Sequence, residues 1–282
     1  MATIELSIPA PDEVHEILIA LLADDEVVGF EQRTGVLAVF MDAGDWSHDR
    51  LESLQFRCRG LAAGRIGIRR IADRNWNEEW EATIRPIRVG RFVVRPSWAK
   101  SLDVGNRPAG GPDDSIELII DPKMSFGTAW HESTRLLLRS LPERVSGGDR
   151  VLDAGTGTGI LAIAALKLGA ERAVGFDIDV WSLANAPENA GVNGVHDRFE
   201  VRDGTLDVIR ESERFDVALA NINREALLEM LPGLIKHAPV VGLSGLLVGD
   251  RPRMVARVDE LGLVVIDEEE EGEWWSAWVA RP

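Results

Sequence analysis

The chain has 282 residues, of which 45% are hydrophobic and 28% charged, a composition typical of a folded globular protein long enough for two domains. Its formal net charge of −16 argues against general binding to nucleic acid, whose phosphates need basic surfaces, and favours either a basic protein partner or a role of the acidity in solubility. The sequence shows no apolar run of membrane-spanning length, no secretory signal pattern and no Cys–His cluster with zinc spacing, so we expect a cytoplasmic protein without a metal, in which the one cysteine, Cys58, is structural.

Residues 1–74 predict a small α+β domain. Strand patterns at TIELSI, VVGFEQ, GVLAVF and GRIGIRRI alternate with helical patterns from Asp12 to Leu22 and from Ser47 to Arg57. The resulting β-α-β-β-α-β order predicts a split-βαβ, ferredoxin-like sandwich. The segment carries no catalytic cluster, so we expect it to recognise a partner, with a purely structural role as the alternative.

Residues 75–90 predict a linker helix. Trp76 and Trp80 are four residues apart, which places them on one face of a short helix that ends before Pro86. We expect this face to pack on a neighbouring domain, with contact to a substrate as the alternative. The next stretch, from Ser101 to Ser115, is rich in Gly, Pro and Asp and predicts a loop.

Residues 91–282 predict an α/β domain. Strand patterns at IELII, RVLDAG, RAVGFD, RFEVRD, FDVALAN, VVGLSGLLVG, GLVVIDE and WSAWVA are separated by helical patterns. Such alternation favours parallel strands in an open, doubly wound sheet, with ligands bound at the carboxyl ends of the strands. The acidic run at 267–273 is predicted to be a solvated connection between two strands.

A segment ahead of the first helix of this domain, DPKMSFGTAWHEST, combines glycine, small hydroxyl residues, Trp and His. This mixture suggests a loop that closes over a ligand. His131 is a candidate general base, although a histidine at this position can equally cap the helix that follows.

The strongest local motif is the glycine loop VLDAGTGTGILAIAA, which leads from a strand into a helix. Gly155, Gly157 and Gly159 allow a sharp turn and a close approach of the backbone to a ligand. Dinucleotide enzymes favour GxGxxG, which places a pyrophosphate on the helix N-terminus, whereas this loop reads GxGxG. A nicotinamide oxidoreductase is therefore the less favoured alternative.

Two further strand ends carry polar side chains. Asp177 ends the next strand, 22 residues after Gly155, where a carboxylate can accept hydrogen bonds from ribose hydroxyls; Asp179 competes for this role but can instead cap a helix. Asn221 follows the strand FDVALAN, and its side-chain carbonyl could orient an amine. Asn223 is the better candidate for the cap of the following helix, which leaves Asn221 for the site.

Taken together, these residues resemble one family, the methyltransferases of large-subunit ribosomal protein eleven (the PrmA family). The resemblance is carried by NWNEEWEATIRPIRVGRFVVRPSW, IDPKMSFGTAWHESTR, VLDAGTGTGILAIAALKLGA, VGFDID and LANI, in the family's order and spacing. It implies a class I methyltransferase fold of Rossmann-like type, with a seven-stranded sheet whose last strand is antiparallel, preceded by the small recognition domain. The family's FGTGxHxTT loop is altered here, with Ala129, Trp130 and Ser133 at changed positions.

The same resemblance implies S-adenosylmethionine as cofactor, held by Thr134, by the glycine loop with Gly155, and by Asp177 and Asn221. It also implies that Thr128 lies near the reaction centre. The substrate would be the basic ribosomal protein, methylated at lysine side chains and the N-terminal amine by a monomer that makes no direct nucleic-acid or membrane contact. The alternatives are a different protein or small-molecule acceptor, and a binding module that has lost methyl transfer.

Overall fold

The computed structural model of the protein describes residues 3–22, 27–42, 46, 48–71, 84–100, 115–123 and 125–282. The chain separates into two structural units, Met1–Glu78 and Glu79–Pro282. Each unit contains its own hydrophobic core.

The first unit is an antiparallel four-stranded sheet with two helices. Its elements are β1 (Thr3–Pro9), α1 (His15–Leu22), β2 (Val27–Arg33), β3 (Val36–Asp42), α2 (His48–Arg57) and β4 (Gly67–Ile71). The strand order is β2-β3-β1-β4, which confirms the predicted ferredoxin-like arrangement. Alternate residues of β1, Ile4, Leu6 and Ile8, point into the core, because successive strand residues face opposite sides of a sheet.

The second unit is built on a seven-stranded sheet. Its elements are β5 (Ile87–Val89), β6 (Phe92–Arg95), β7 (Ile116–Ile119), α3 (Glu132–Ser140), β8 (Arg150–Ala154), α4 (Ile160–Leu168), β9 (Arg172–Asp177), α5 (Val180–Val192), β10 (Phe199–Asp203), β11 (Val217–Asn221), α6 (Arg224–His237), β12 (Val240–Leu247), α7 (Arg251–Glu260), β13 (Val264–Glu271) and β14 (Trp274–Ala280). The strand order is β10-β9-β8-β11-β12-β14-β13, and β14 is antiparallel to both of its neighbours. This is the predicted Rossmann-like sheet with its last strand antiparallel.

Helices cover both faces of this sheet. In β8, Val151 packs into the core that contains α3, α4 and α5, whereas the next residue, Leu152, packs into the core that contains α6 and α7. In β11, Leu219 packs into the first of these cores and Ala218 into the second. The sheet is thus buried on both faces, which explains why its strands read as continuous apolar runs.

One sequence prediction for the start of this unit is corrected. The strand IELII, β7, does not join the large sheet; it pairs in parallel with β6, which pairs with β5 in a separate three-stranded sheet. The predicted linker helix ends before Pro86, and residues 87–89, beyond that point, form β5. Residues 72–83, with Trp76 and Trp80, and residues 101–114 lie outside the described residues.

The acidic run at 267–273 is also different from the prediction. Most of it lies in strand β13 instead of a solvated connection, and every second side chain faces α3 or the turn that follows that helix. Among the described residues, these side chains form four ion pairs with arginines: Arg135–Glu271 and Arg139–Glu271 at 2.6 Å, Arg139–Glu269 at 2.7 Å and Arg144–Asp267 at 2.8 Å. Because successive side chains of a strand face opposite sides, Asp267, Glu269 and Glu271 lie on the same side of β13. Their arginine partners hold α3 against the sheet edge.

The structure can be compared with the expectations for the cysteine, for membrane-spanning helices and for metal ligands. Cys58 is buried in the core of the first unit, as expected for a structural thiol. Within the described residues, no helix combines the length and the apolar character needed to cross a membrane. The described part of the chain likewise contains no group of three His, Cys, Asp or Glu side chains arranged to hold a metal ion.

Candidate active site

The glycine loop connects β8 to α4, and its backbone adopts conformations that favour glycine. Gly155, Gly157 and Gly159 have φ values of +67°, +55° and +80°. A Cβ atom on Gly155 would overlap the side chain of Ile222, and one on Gly157 would overlap the carbonyl of Phe126. The loop therefore needs glycine both for its turn and for the close approach of neighbouring segments.

Asp177 ends β9, the strand next to β8, and its carboxylate lies against the glycine loop. One oxygen, Oδ2, accepts a hydrogen bond from the Gly157 amide at 2.9 Å, and Oδ1 accepts one from the Asp179 amide at 3.0 Å. The side chain is thereby fixed at the carboxyl edge of the sheet while remaining partly exposed. Asp179 caps α5 by accepting from the amides of Trp181 and Ser182. A contact between Asp177 and a ribose stays a prediction.

Asn221 lies at the end of β11, on the other side of β8. Its Nδ2 donates a hydrogen bond to Thr134 Oγ1 at 3.1 Å, and it is only 8% exposed. No atom of the described residues donates a hydrogen bond to its Oδ1, although this oxygen is buried. A buried acceptor without a hydrogen bond lowers the stability of the folded protein. Such an atom therefore suggests that a ligand supplies the missing donor. Asn223 caps α6 through a 3.0 Å bond from the Ala226 amide, as predicted.

Thr134 is fully buried in the first turn of α3. In this structure its hydroxyl contacts Asn221, and it orients that side chain. A direct contact between Thr134 and a cofactor stays a prediction.

The loop ahead of α3 lies directly on the glycine loop. The Thr158 amide donates to the Phe126 carbonyl at 2.9 Å, and the Thr158 hydroxyl donates to the Gly127 carbonyl. Thr128, the next residue, is 9% exposed, and its carbonyl accepts from the His131 amide at 3.1 Å. The two residues before Thr128 therefore contact the glycine loop, and a role of Thr128 at the reaction centre stays a prediction.

His131 caps α3. Its Nδ1 accepts from the Ser133 amide at 3.3 Å and lies 2.8 Å from the Ser133 hydroxyl. The imidazole ring makes edge contacts with Phe126 and Trp274, at centroid distances of 5.1 and 4.5 Å. Burial lowers the pKa of His131, which favours the neutral ring that such a cap requires. Of the two roles considered for His131, capping is the one the geometry supports.

Asp153, in β8, is a site residue that the sequence reasoning did not identify. It is buried, and its Oδ2 accepts hydrogen bonds from the Thr156 hydroxyl at 2.7 Å and from the Ala162 amide at 3.3 Å. Burial raises its pKa to about 7. The carboxyl group thus ties the glycine loop to the first turns of α4. The sequence signal that could have identified Asp153 is its position two residues before Gly155, the first glycine of the loop.

The arrangement suits a polar nucleoside. A partly exposed carboxylate at one strand end can accept hydrogen bonds from hydroxyl groups, and a buried amide oxygen at another can accept one from an amine. The glycine loop between them allows a ligand close to the backbone. All three elements meet where ligands bind in open α/β sheets, at the carboxyl ends of strands around the switch in strand order between β8 and β11.

Both the sequence and the fold match known proteins. A family model described as Ribosomal protein L11 methyltransferase (PrmA) matches residues 12–282. The chain is 35% identical to the Ribosomal protein L11 methyltransferase of Chlorobaculum parvum, over 98% of this chain and 96% of the relative. It is 32% identical to that of Myxococcus xanthus, over 96% of both chains. The crystal structure of a ribosomal protein L11 methylase from Lactobacillus delbrueckii subsp. bulgaricus superposes with a TM-score of 0.63 at 28% identity, covering 70% of this chain and 99% of that one. The chain therefore belongs to the ribosomal protein L11 methyltransferase (PrmA) family.

Proposed function

We propose that this protein transfers methyl groups from S-adenosylmethionine to amines of ribosomal protein L11, at lysine side chains and the N-terminal α-amine. The observation that carries the proposal is the buried amide oxygen of Asn221, which finds no donor within the described residues and lies at the same sheet edge as the glycine loop and Asp177. An amine that accepts a methyl group must be oriented, and a hydrogen-bond acceptor at this position can orient it.

The residues present fit S-adenosylmethionine. Asp177 offers acceptors for ribose hydroxyls, and Gly155 and Gly157 let the loop turn at positive φ while Ile222 and Phe126 pack against its backbone. Asn221 Oδ1 supplies an acceptor at the position proposed for the amine. When bound, the cofactor supplies an electrophilic methyl group on a sulfonium.

The chain's own contribution is positioning. Asn221 accepts a hydrogen bond from the incoming amine and so directs its lone pair, while Thr134 holds the amide in the required orientation. An amide is not a base, so the amine must lose its proton before it binds. A lysine amine with an ordinary pKa of about 10.4 is therefore a poorer acceptor at neutral pH than an α-amine of about 7.7–8.0.

Substrate recognition is assigned to residues 1–74, and methyl transfer to residues 91–282. The net charge of −16 favours a basic substrate through electrostatic attraction. In the first unit, Glu5 is buried between Arg33 and Arg69, and these ion pairs hold the pKa of its carboxyl below the ordinary value. Such pairing gives one face of the sheet fixed polar groups suited to a protein partner. We expect a cytoplasmic monomer that binds its substrate without nucleic acid.

The test is intact-mass analysis of purified ribosomal protein L11 after incubation with the enzyme and S-adenosylmethionine. Mass gains in steps of one methyl group are expected, and they should disappear in Asp177→Ala. If the wild-type enzyme binds the cofactor by calorimetry and adds no methyl group to L11, the proposed acceptor is wrong.

A further inference from the structure

Three asparagines form a stripe along one face of α5 and the residue that caps its C-terminal end. Asn185, Asn189 and Asn193 are spaced four residues apart, so they lie above one another on the helix, and they are 2%, 1% and 6% exposed. Each directs its amide group toward the backbone of β7 or the segment that follows it. Buried side-chain amides in such a row are unusual, because each must find hydrogen-bond partners.

The stripe pairs with this backbone as a neighbouring strand would. Asn193 accepts from the Ile119 amide at 3.0 Å and donates to the Ile119 carbonyl at 2.6 Å. Asn189 makes the same pair of bonds to Asp121, at 3.0 and 3.3 Å. The spacing allows this, because four helical residues rise roughly 6 Å and two strand residues rise roughly 6.6 Å. Asn185 continues the row by donating to the carbonyls of Asp121 and Pro122, both at 3.0 Å.

Asn189 differs from the other two because it also contacts the glycine loop. Its Nδ2 donates to the Thr158 carbonyl at 2.9 Å, in addition to its bond with Asp121. Thr158 in turn donates to the carbonyls of Phe126 and Gly127. The buried amide of Asn189 is therefore bonded to two segments. One leads into the loop with Thr128, and the other is the glycine loop, which that loop contacts.

We infer that Asn189 is a positioning residue for the cofactor site, which sets where residues 121–123 and 125–128 lie relative to the glycine loop. This inference rests on the proposed function for its effect on catalysis. The effect acts through Thr158, since Asn189 itself is covered by both segments. Displacement of these segments by about 1 Å is enough to lower turnover by about a hundredfold when a reaction depends on positioning.

The experiment compares Asn189→Ala with Asn193→Ala. Both variants remove a buried amide that is paired with the same backbone segment, but the second leaves the bond to Thr158 intact. Residue-resolved hydrogen exchange is measured without ligand, after correction for global stability. We expect the Thr158 amide to exchange about tenfold faster in Asn189→Ala and at the wild-type rate in Asn193→Ala. Equal rates in the two variants would overturn the inference.

A conservative variant separates the two bonds of Asn189. Asn189→Asp keeps an acceptor for the Asp121 amide and loses the donor to Thr158. We expect fast exchange at Thr158 with slow exchange retained at Asp121. Slow exchange at both amides would mean that the donor to Thr158 is not what holds the glycine loop.

Ligand binding supplies the functional readout. The dissociation constant of S-adenosylhomocysteine, measured by calorimetry, should rise at least about tenfold in Asn189→Ala and stay near the wild-type value in Asn193→Ala. If Asn189→Ala does not fold, the wild-type protein decides: the ligand should slow exchange at both Asp121 and Thr158, and no change at Asp121 would refute the coupling. The ligand-free exchange pattern is independent of methyl transfer, so failure to methylate L11 would count against the proposed function alone.

Discussion

Asn221 and Thr134 are 87 residues apart in the chain, yet the Nδ2 of Asn221 donates a hydrogen bond to the Thr134 hydroxyl at 3.1 Å. This bond determines which end of the amide faces the helix. It leaves Oδ1, buried and without a donor from the described residues, as the end available to an acceptor amine.

Replacement of Asn221 by Ala should lower kcat by about a hundredfold while changing cofactor affinity much less, because the amide orients the amine. Thr134→Val should also lower kcat, since the amide loses the partner that fixes its orientation, and Thr134→Ser should restore it. Steady-state kinetics at saturating cofactor and substrate provide the measurement. Near-normal kcat in Asn221→Ala would refute the proposed role.

Gly157→Ala should abolish tight cofactor binding. The added Cβ would overlap the Phe126 carbonyl, and the φ of +55° is strained for any residue with a side chain, at a cost of about 1–3 kcal/mol. Gly191→Ala is the matched control, because it lies inside α5 with nothing within 4 Å of the new Cβ. That change should raise the free energy of unfolding by about 0.5–1 kcal/mol and leave binding intact. Calorimetry and chemical denaturation test both variants.

Asp177→Ala and Asp179→Ala should have different consequences although the residues are two positions apart. Loss of the Asp177 carboxylate removes acceptors proposed for the ribose, so cofactor affinity should fall roughly 10- to 100-fold. Loss of Asp179 removes the cap of α5 and should cost about 1 kcal/mol of stability with little effect on affinity. A loss of affinity in Asp179→Ala equal to that in Asp177→Ala would contradict this division of roles.

Asp153 should make stability depend on pH in an unusual direction. Its pKa is raised to about 7 in the folded protein from an ordinary value of 3.8, so the folded state holds the proton more tightly than the unfolded chain. The stabilising contribution is fully present below about pH 4 and is lost as pH rises toward 7. Asp153→Asn should therefore gain stability relative to wild type between these pH values. A constant difference in the free energy of unfolding across this range would show that Asp153 does not titrate there.

The ion pairs between α3 and β13 should contribute modestly and in a salt-dependent manner. Arg139 contacts both Glu269 and Glu271, at 2.7 and 2.6 Å, and all three side chains are partly exposed. Arg139→Met, which keeps most of the aliphatic contact, should lower the free energy of unfolding by about 0.5–1 kcal/mol at low ionic strength. The loss should shrink in 1 M salt, because the pairs are screened. Thermal denaturation at two salt concentrations measures it, and an equal loss at both would point to packing instead of charge.

The sequence by itself determined most of the elements of this protein, because the signals that specify them are local. The alternation of apolar runs and helical patterns from Arg150 onward predicted the strands and helices of the seven-stranded sheet close to their observed bounds. The glycine loop and the helix caps at Asp179 and Asn223 could also be predicted from the sequence, since each depends on residues only a few positions apart.

Only the tertiary structure decided which distant groups meet. The strand pattern of β7 could not reveal that its partner is β6, nor that the side chain of Asn193, just after α5, would pair with Ile119. The sequence did not reveal the ion pairs of Asp267, Glu269 and Glu271 in β13, because their arginine partners lie more than 120 positions earlier. The bond between Asn221 and Thr134 is of the same kind. Hydrogen bonds and ion pairs over such separations depend on how the chain packs, and no local pattern of residues encodes them.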